Sequence, residues 1–397
     1  MHLFHTASDE EIKQGKTTDV YFTRAKEILK AKKKDKVKVV AEVTVGNLPE
    51  SWSWGILCGI EEVAKLFEGY PVNVYSFPEG SLFYPKDRYG VREPVMVIEG
   101  VYVDFCVLET PLLGLICQAS GIATKAARIR KMAGDKLLIS FGIRRIHPTI
   151  SPMVDRAAYI GGFDGVSCLT GAKLIGKKPT GTMPHALIII FGNQVEAWKA
   201  FDEIIEPEVP RIALIDTYFD EKIEAVKAAE ALDGRLYGVR LDTPNSRRGN
   251  FAEIVREVKW ELAVRGYENV KVMVSGGIDE LNIKPLIDAG VDGFGVGTSI
   301  SAAPIIDFAM DIVEIEGKPV AKRGKLGGKK EVWRCPSCMK DIVLPFRKPQ
   351  PKCPDCGNKM EPMLKPLIRE GKIVEKQLPP GKIREHVLNQ LGKIKQL

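Results

Sequence analysis

The sequence predicts an α/β chain built on a TIM-like (β/α) barrel, preceded by an α+β domain and followed by a small cysteine-rich module. Three observations carry this. Between residues 137 and 296, short apolar runs alternate with amphipathic helical stretches, as repeated βα units do. The runs end in polar or glycine-rich residues: Arg144, Asp216, Arg240 with Asp242, Ser275-Gly276-Gly277 and Gly297-Thr298. A barrel furnishes its loop face in this way. Near the C-terminus stand two Cys-x-x-Cys pairs. A doubly wound sheet is the alternative to the barrel, because strand order is not written in one sequence.

Taken in order, residues 1–110 form the α+β domain. A helical pattern covers 6–32, with Thr17-Thr18-Asp19 offering capping oxygens ahead of Val20-Tyr21-Phe22. Residues 37–45 alternate as a strand, 60–67 are helical, and 72–75 and 95–105 read as strands between proline and glycine turns. The barrel domain, 111–316, opens with a helix over 112–132. Its strands are 137–144, 165–168, 211–216, 236–241, 270–274 and 293–296, and its helices include 195–205, 221–232, 251–265 and 283–289. A helix is expected from Pro304 to Val313, and 317–330 reads as a mobile linker or loop at the start of the C-terminal domain, 317–397.

Composition narrows the function. With 397 residues, 45% hydrophobic and 27% charged, the chain has an ordinary globular balance, which excludes a disordered protein. No uninterrupted apolar run reaches the roughly 18–20 residues of a membrane span, and no basic region leads into an apolar signal core, so a soluble, cytoplasmic protein is expected. The net charge of +7 is spread along the chain. It fits an anionic small substrate better than a nucleic-acid surface, and no nucleic-acid or membrane partner is expected.

The eight cysteines fall into two groups. Cys58, Cys106, Cys117 and Cys168 stand singly among apolar or small residues, as reduced core thiols do. Cys335, Cys338, Cys353 and Cys356 have the spacing of a tetrahedral four-thiolate Zn²⁺ site, a zinc-ribbon-like module whose closed coordination serves structure rather than chemistry. Disulfides or free thiols are the alternative.

Chemistry concentrates between Phe141 and His185. Phe141-Gly142-Ile143-Arg144-Arg145 follows a strand, and Gly181-Thr182-Met183-Pro184-His185 places a histidine in the first turn of a helix begun by Pro184. An aromatic, two guanidiniums and an imidazole thus converge on one end. Gly276-Gly277 and Gly295-Val296-Gly297-Thr298, after the last two strands, read as a phosphate cup.

These motifs, together with Thr18-Asp19-Val20-Tyr21, Gly161-Gly162-Phe163-Asp164-Gly165-Val166-Ser167, Leu214-Ile215-Asp216-Thr217-Tyr218 and Gly238-Val239-Arg240-Leu241-Asp242, resemble the nicotinate phosphoribosyltransferase family over roughly residues 15–310, in the family's order. The archaeal branch, with a C-terminal zinc-binding module, is the nearer likeness. The resemblance implies an incomplete barrel and transfer of a phosphoribosyl group from 5-phosphoribosyl-1-pyrophosphate to nicotinate, with ATP hydrolysis and Mg²⁺. The products would be nicotinate mononucleotide and pyrophosphate. It also implies a homo-oligomer whose sites are completed across subunit interfaces. Residue by residue, Tyr21 and Phe141 would sandwich the pyridine ring, and Arg144 and Arg240 would hold anionic groups. Asp242 would hold ribose hydroxyls, with Asp216 and Thr182 also against substrate. Ser275, Gly276, Gly277, Gly297 and Thr298 would cradle the 5′-phosphate, and His185 would carry a phosphoryl group from ATP. Ser167 stands where nicotinamide-using relatives have an aspartate, which implies preference for the acid. Where bacterial and eukaryotic relatives continue from Arg-x-Asp into Ser-Gly-Asp, this chain has Thr243-Pro244-Asn245. Two other classes fit parts of the pattern: another phosphate-binding barrel enzyme, and a zinc-ribbon nucleic-acid or protein adaptor. The first needs a lysine or carboxylate doing covalent or proton chemistry at a strand end, the second a basic helix.

Overall fold

The computed structural model describes residues 3–247, 249–374 and 376–394. The chain divides into two compact units, one of residues 1–127, 160–162 and 303–397, the other of 128–159 and 163–302.

The first unit is built on a seven-stranded antiparallel sheet. Its order is Lys318–Pro319, Phe308–Ile315, Lys38–Val45, Pro94–Val101, Val72–Ser76, Lys365–Arg369, Lys372–Ile373. Alternation along Lys38–Val45 sends Val39, Ala41, Val43 and Val45 into the main core with Ile60, Val63 and Phe67 of helix Ile60–Phe67. The opposite face carries Val40 and Glu42. Glu42 receives Lys330 at 2.8 Å, and Lys325 reaches Thr44 Oγ1 at 3.1 Å. Residues 317–330, expected to be a mobile linker or loop, begin as edge strand Lys318–Pro319 and are then held against this face, Lys322 and Lys325 also meeting Asp311 at 2.5 and 2.7 Å.

Other expectations needed correction. The helix predicted from Pro304 to Val313 is instead strand Phe308–Ile315, because its apolar residues meet the neighbouring strand in register, Val45 opposite Phe308 and Val43 opposite Met310. The helical pattern over 6–32 breaks into Asp9–Lys13 and Val20–Ala31. Asp19 caps the second helix without a side-chain cap bond; its carboxylate instead accepts from Thr110 Oγ1 at 3.0 Å. The strand expected over 95–105 ends at Val101 and turns helical over Tyr102–Phe105. Helices over Tyr102–Ala133 form a run long and apolar enough on average to cross a bilayer, although it contains no uninterrupted apolar span. In the protein 56% of that apolar window is buried, as in a core helix.

The second unit holds six parallel strands in the order Gly165–Val166, Leu137–Ser140, Gly293–Val296, Lys271–Ser275, Gly238–Leu241, Ile212–Leu214. Read from Ile212–Leu214, this is sequence order rotated cyclically and never reversed. A doubly wound sheet would reverse at a switch point. The winding is that of a barrel, left open between the first and last strands.

A three-stranded sheet, Asp341–Pro345, Lys330–Arg334 and Glu361–Pro362, carries the cysteine pairs over a small core of Trp333, Ile342 and Met360.

Candidate active site

At the carboxyl ends of the parallel strands, Arg240 is the hub. It is 9% exposed; its Nη1 donates to Ser275 Oγ at 3.0 Å, and its Nη2 donates to the Met183 carbonyl at 3.0 Å. Burial draws its pKa down, opposed by Asp242 and Asp216. Asp242 Oδ2 lies 3.4 Å from Nη1, while its Oδ1 accepts from Ser275 Oγ at 2.8 Å. The Asp242 backbone N–H donates to Asp216 Oδ2 at 2.8 Å, and the Thr243 hydroxyl reaches Glu221 Oε1 at 2.6 Å and Asp216 Oδ2 at 3.2 Å.

His185 faces this group. Its Nδ1 is 3.0 Å from Thr217 Oγ1, which leaves Nε2 toward Asp216 Oδ1 at 3.7 Å and Asp242 Oδ2 at 3.9 Å. Asp216 Oδ1 is buried without a hydrogen-bond partner, and burial raises this carboxyl's pKa, with His185 pulling it back. An acceptor so placed is poised for a ligand. The Thr217 loop is fixed by Glu224, a fully buried carboxylate that accepts from the Tyr218 and Phe219 N–H groups at 2.9 Å each. Pro184 is the N-cap rather than the first helical residue, and His185 opens helix His185–Phe191, only seven residues long. Orientation of the imidazole therefore rests on Thr217 more than on a helix dipole.

Phe141 continues strand Leu137–Ser140, its N–H donating to Val296 O at 2.8 Å. Its ring covers Gly295, where an added Cβ would fall 2.4 Å from the ring carbons. Gly295→Ala is expected to destabilise the protein by about 1–3 kcal/mol through overpacking. Urea unfolding checks this, and an unchanged midpoint would show that the ring moves aside freely.

Gly276 and Gly277 both have positive φ, +88° and +69°, and Asn282 Nδ2 donates to Gly277 O at 2.6 Å. Ser299 Oγ hydrogen-bonds Ile278 O, joining this turn to the loop of Gly297 and Thr298. Arg144 is exposed in the turn Ile143–Arg145, where its charge is felt by Arg240. Ser167 and Thr182 are half-buried. Tyr21 belongs to the first unit, 58% exposed on helix Val20–Ala31.

Among the residues singled out in the sequence, the structure joins His185, Asp216, Arg240, Asp242 and Ser275 in one polar cluster. Sequence reasoning missed Thr217, Glu221, Glu224 and Thr243. Thr217 and Thr243 each adjoin a predicted aspartate, and both stand in stretches singled out in the sequence without a role of their own. Glu221 and Glu224 fall in the first turn of the helix read over 221–232, where nothing in the sequence marks an inward-facing carboxylate.

The four paired cysteines place their sulfurs within 4.8 Å of one another. The knuckles repeat: Met339 N–H donates to Cys335 O and Gly357 N–H to Cys353 O, and both Met339 and Gly357 have positive φ. Four converging thiols fit a tetrahedral ion such as zinc, whose ~2.3 Å Zn–S bonds set sulfurs about 3.8 Å apart.

An open parallel barrel with a buried arginine–carboxylate cluster and glycine turns at its mouth defines an enzyme that handles a phosphorylated substrate. The quinolinate phosphoribosyl transferase N-terminal domain matches residues 19–120 and the corresponding C-terminal domain residues 122–311. A crystal structure described as nicotinate-nucleotide pyrophosphorylase from Pyrococcus furiosus is 58% identical, with a TM-score of 0.95 over 99% of each chain. The nicotinate phosphoribosyltransferase pncB2 of Mycobacterium tuberculosis is 32% identical over 278 residues, 66% of this chain and 57% of that relative's length. Human nicotinic acid phosphoribosyltransferase, 19% identical with a TM-score of 0.73, covers 95% of this chain and 94% of its own, and shares the fold. The chain belongs to the quinolinate and nicotinate phosphoribosyltransferase family.

Proposed function

We propose that the enzyme transfers the phosphoribosyl group of 5-phosphoribosyl-1-pyrophosphate to nicotinate, coupled to ATP, in NAD biosynthesis. The observation that carries this is the Arg240–Ser275–Asp242–Asp216 network with His185 Nε2 at its open edge. Arg240 and Arg144 would hold anionic groups, Asp242 the ribose hydroxyls, and the turns at Gly276-Gly277 and Gly297-Thr298 the 5′-phosphate. Thr182 would lie against the substrate from the loop that carries His185. Phe141, and Tyr21 in the assembled oligomer, would stack on the pyridine. Loss of pyrophosphate develops positive charge at ribose C1, so positioning of the pyridine nitrogen and stabilisation of the departing pyrophosphate supply the catalysis. The orphan Asp216 Oδ1 and Asp242 Oδ2 are the oxygens that would hold Mg²⁺, which would neutralise phosphate charge. His185, its Nδ1 engaged by Thr217, would accept the phosphoryl group at Nε2.

Labelled ATP followed by acid and base treatment tests the coupling: acid-labile, base-stable label is expected on His185. His185→Ala should retain basal transfer while losing ATP stimulation, and full ATP-stimulated turnover in that variant would refute the phosphohistidine. Quinolinate is the second reading, favoured by the family match over residues 122–311. Ser167 as a single neutral donor suits one carboxylate better than two, and kcat/KM measured for both acids decides between them.

Exposed Ile189, Ile190 and Phe191, at 58%, 82% and 41%, support a homo-oligomer. We assign zinc to the four paired cysteines.

A further inference from the structure

We propose that Asp155 is a positioning residue for the pyridine pocket, fixing the spacing of the two strand ends that carry Phe141 and Ser167. The inference rests on reading that pocket as the nicotinate site. Asp155 lies on helix Ser151–Ile160 and is fully buried. Its Oδ1 accepts from Ser140 Oγ at 2.7 Å, and its Oδ2 accepts from the Cys168 N–H at 3.1 Å. Ser140 immediately precedes Phe141, and Cys168 immediately follows Ser167. One carboxylate therefore bridges the residues adjoining both pocket positions.

The bridge stands where the sheet stops. Strands Leu137–Ser140 and Gly165–Val166 are parallel neighbours, their last registered pair being Ser140 and Val166. One further backbone bond, Ser167 N–H to Ser140 O at 3.2 Å, closes the ladder. Past it both segments leave the sheet for the loops that would touch the pyridine, and the carboxylate spans them there. Helix Leu169–Leu174 seals the site: a Cβ on Gly171 would fall 2.8 Å from both Cβ and Oδ2 of Asp155.

A carboxylate enclosed in this way is costly to ionise. Burial lifts its pKa to about 6, although Ser140 and Cys168 draw it down. A group needed only for packing would be served better by an apolar side chain of similar volume. What the carboxylate adds is two acceptors at a fixed separation, one for each strand end.

The test uses the full-length enzyme. In Asp155→Ala the KM for nicotinate is expected to rise about tenfold, as a lost buried acceptor pair predicts. KM for phosphoribosyl pyrophosphate and kcat should stay within about threefold, since only the pyridine wall has moved. Asp155→Asn should restore KM, because its Oδ1 can accept from Cys168 N–H while Nδ2 donates to Ser140 Oγ. An unchanged KM for nicotinate in the alanine variant, an equal rise for both substrates, or an asparagine variant as impaired as alanine would each overturn the proposal. Should Asp155→Ala fail to fold, Ser140→Ala removes one arm only; a rise of about threefold is expected there, and no rise overturns the proposal. Wild-type enzyme that transfers nothing to nicotinate would instead overturn the substrate reading.

Discussion

Replacing Ser167 by aspartate should lower kcat/KM for nicotinate relative to nicotinamide by about a hundredfold or more. Ser167 follows strand Gly165–Val166 and is half-buried, and its backbone N–H is held by Ser140 O at 3.2 Å. The substitution is therefore expected to change the side chain presented there while the backbone keeps its place. An ionised aspartate there would face the carboxylate of nicotinate in a partly desolvated pocket, a like-charge contact of several kcal/mol, and about 2.7 kcal/mol already gives a hundredfold. For the amide the same aspartate is an acceptor. Steady-state kinetics with both pyridines checks this, and an unchanged ratio would remove Ser167 as the selector.

Removing zinc should cost the protein several kcal/mol, a fall in Tm on the order of 10 °C. The module is not a detachable appendix. Immediately after it, Met363 N–H donates to Val332 O, and strand Lys365–Arg369 pairs with Val72–Ser76 in the seven-stranded sheet. Farther on, Gln390 of helix Pro380–Leu391 accepts from Leu82 N–H at 2.9 Å and donates to Gly80 O at 2.8 Å. Unfolding the knuckles would loosen both attachments. Metal analysis should find about one zinc per chain, and chelator or Cys335→Ser should lower the melting temperature. Protein without zinc that melts at the same temperature would contradict the assignment.

The βα alternation was legible in the sequence because its strands are short apolar runs closed by polar residues, a pattern that survives without tertiary context. Helices Ile60–Phe67 and Glu221–Leu232 were legible to the residue, one strongly amphipathic, the other begun by the capping Asp220. Strand Phe308–Ile315 was not, since its partner lies at Lys38–Val45, far away in the chain, and register with that partner decides its conformation. The site divides similarly. Arg240 lies at the end of a strand and Asp242 and Asp216 follow strands, and they announced themselves, whereas Glu224 and Asp155 lie on helices, where only burial shows that a charged residue faces inward. Strand order, which separates a barrel from a doubly wound sheet, is a property of long-range pairing alone.

The opening in the barrel has a consequence for how the reaction could have been assembled. The connection bridging it, from Gly165–Val166 to Ile212–Leu214, carries three helices, Leu169–Leu174, His185–Phe191 and Gln194–Ile204, where among the described residues every other connection between these strands carries one α-helix. His185 belongs to this excursion, while Arg240, Asp242 and Ser275 belong to the staves and their immediate ends. The imidazole thus sits on a segment of its own, tied back to the staves by the Arg240 Nη2 bond to the Met183 carbonyl. On the proposed reading, changes in the excursion would alter energy coupling first, while the hydrogen-bonded register of the staves keeps the proposed transfer site in place.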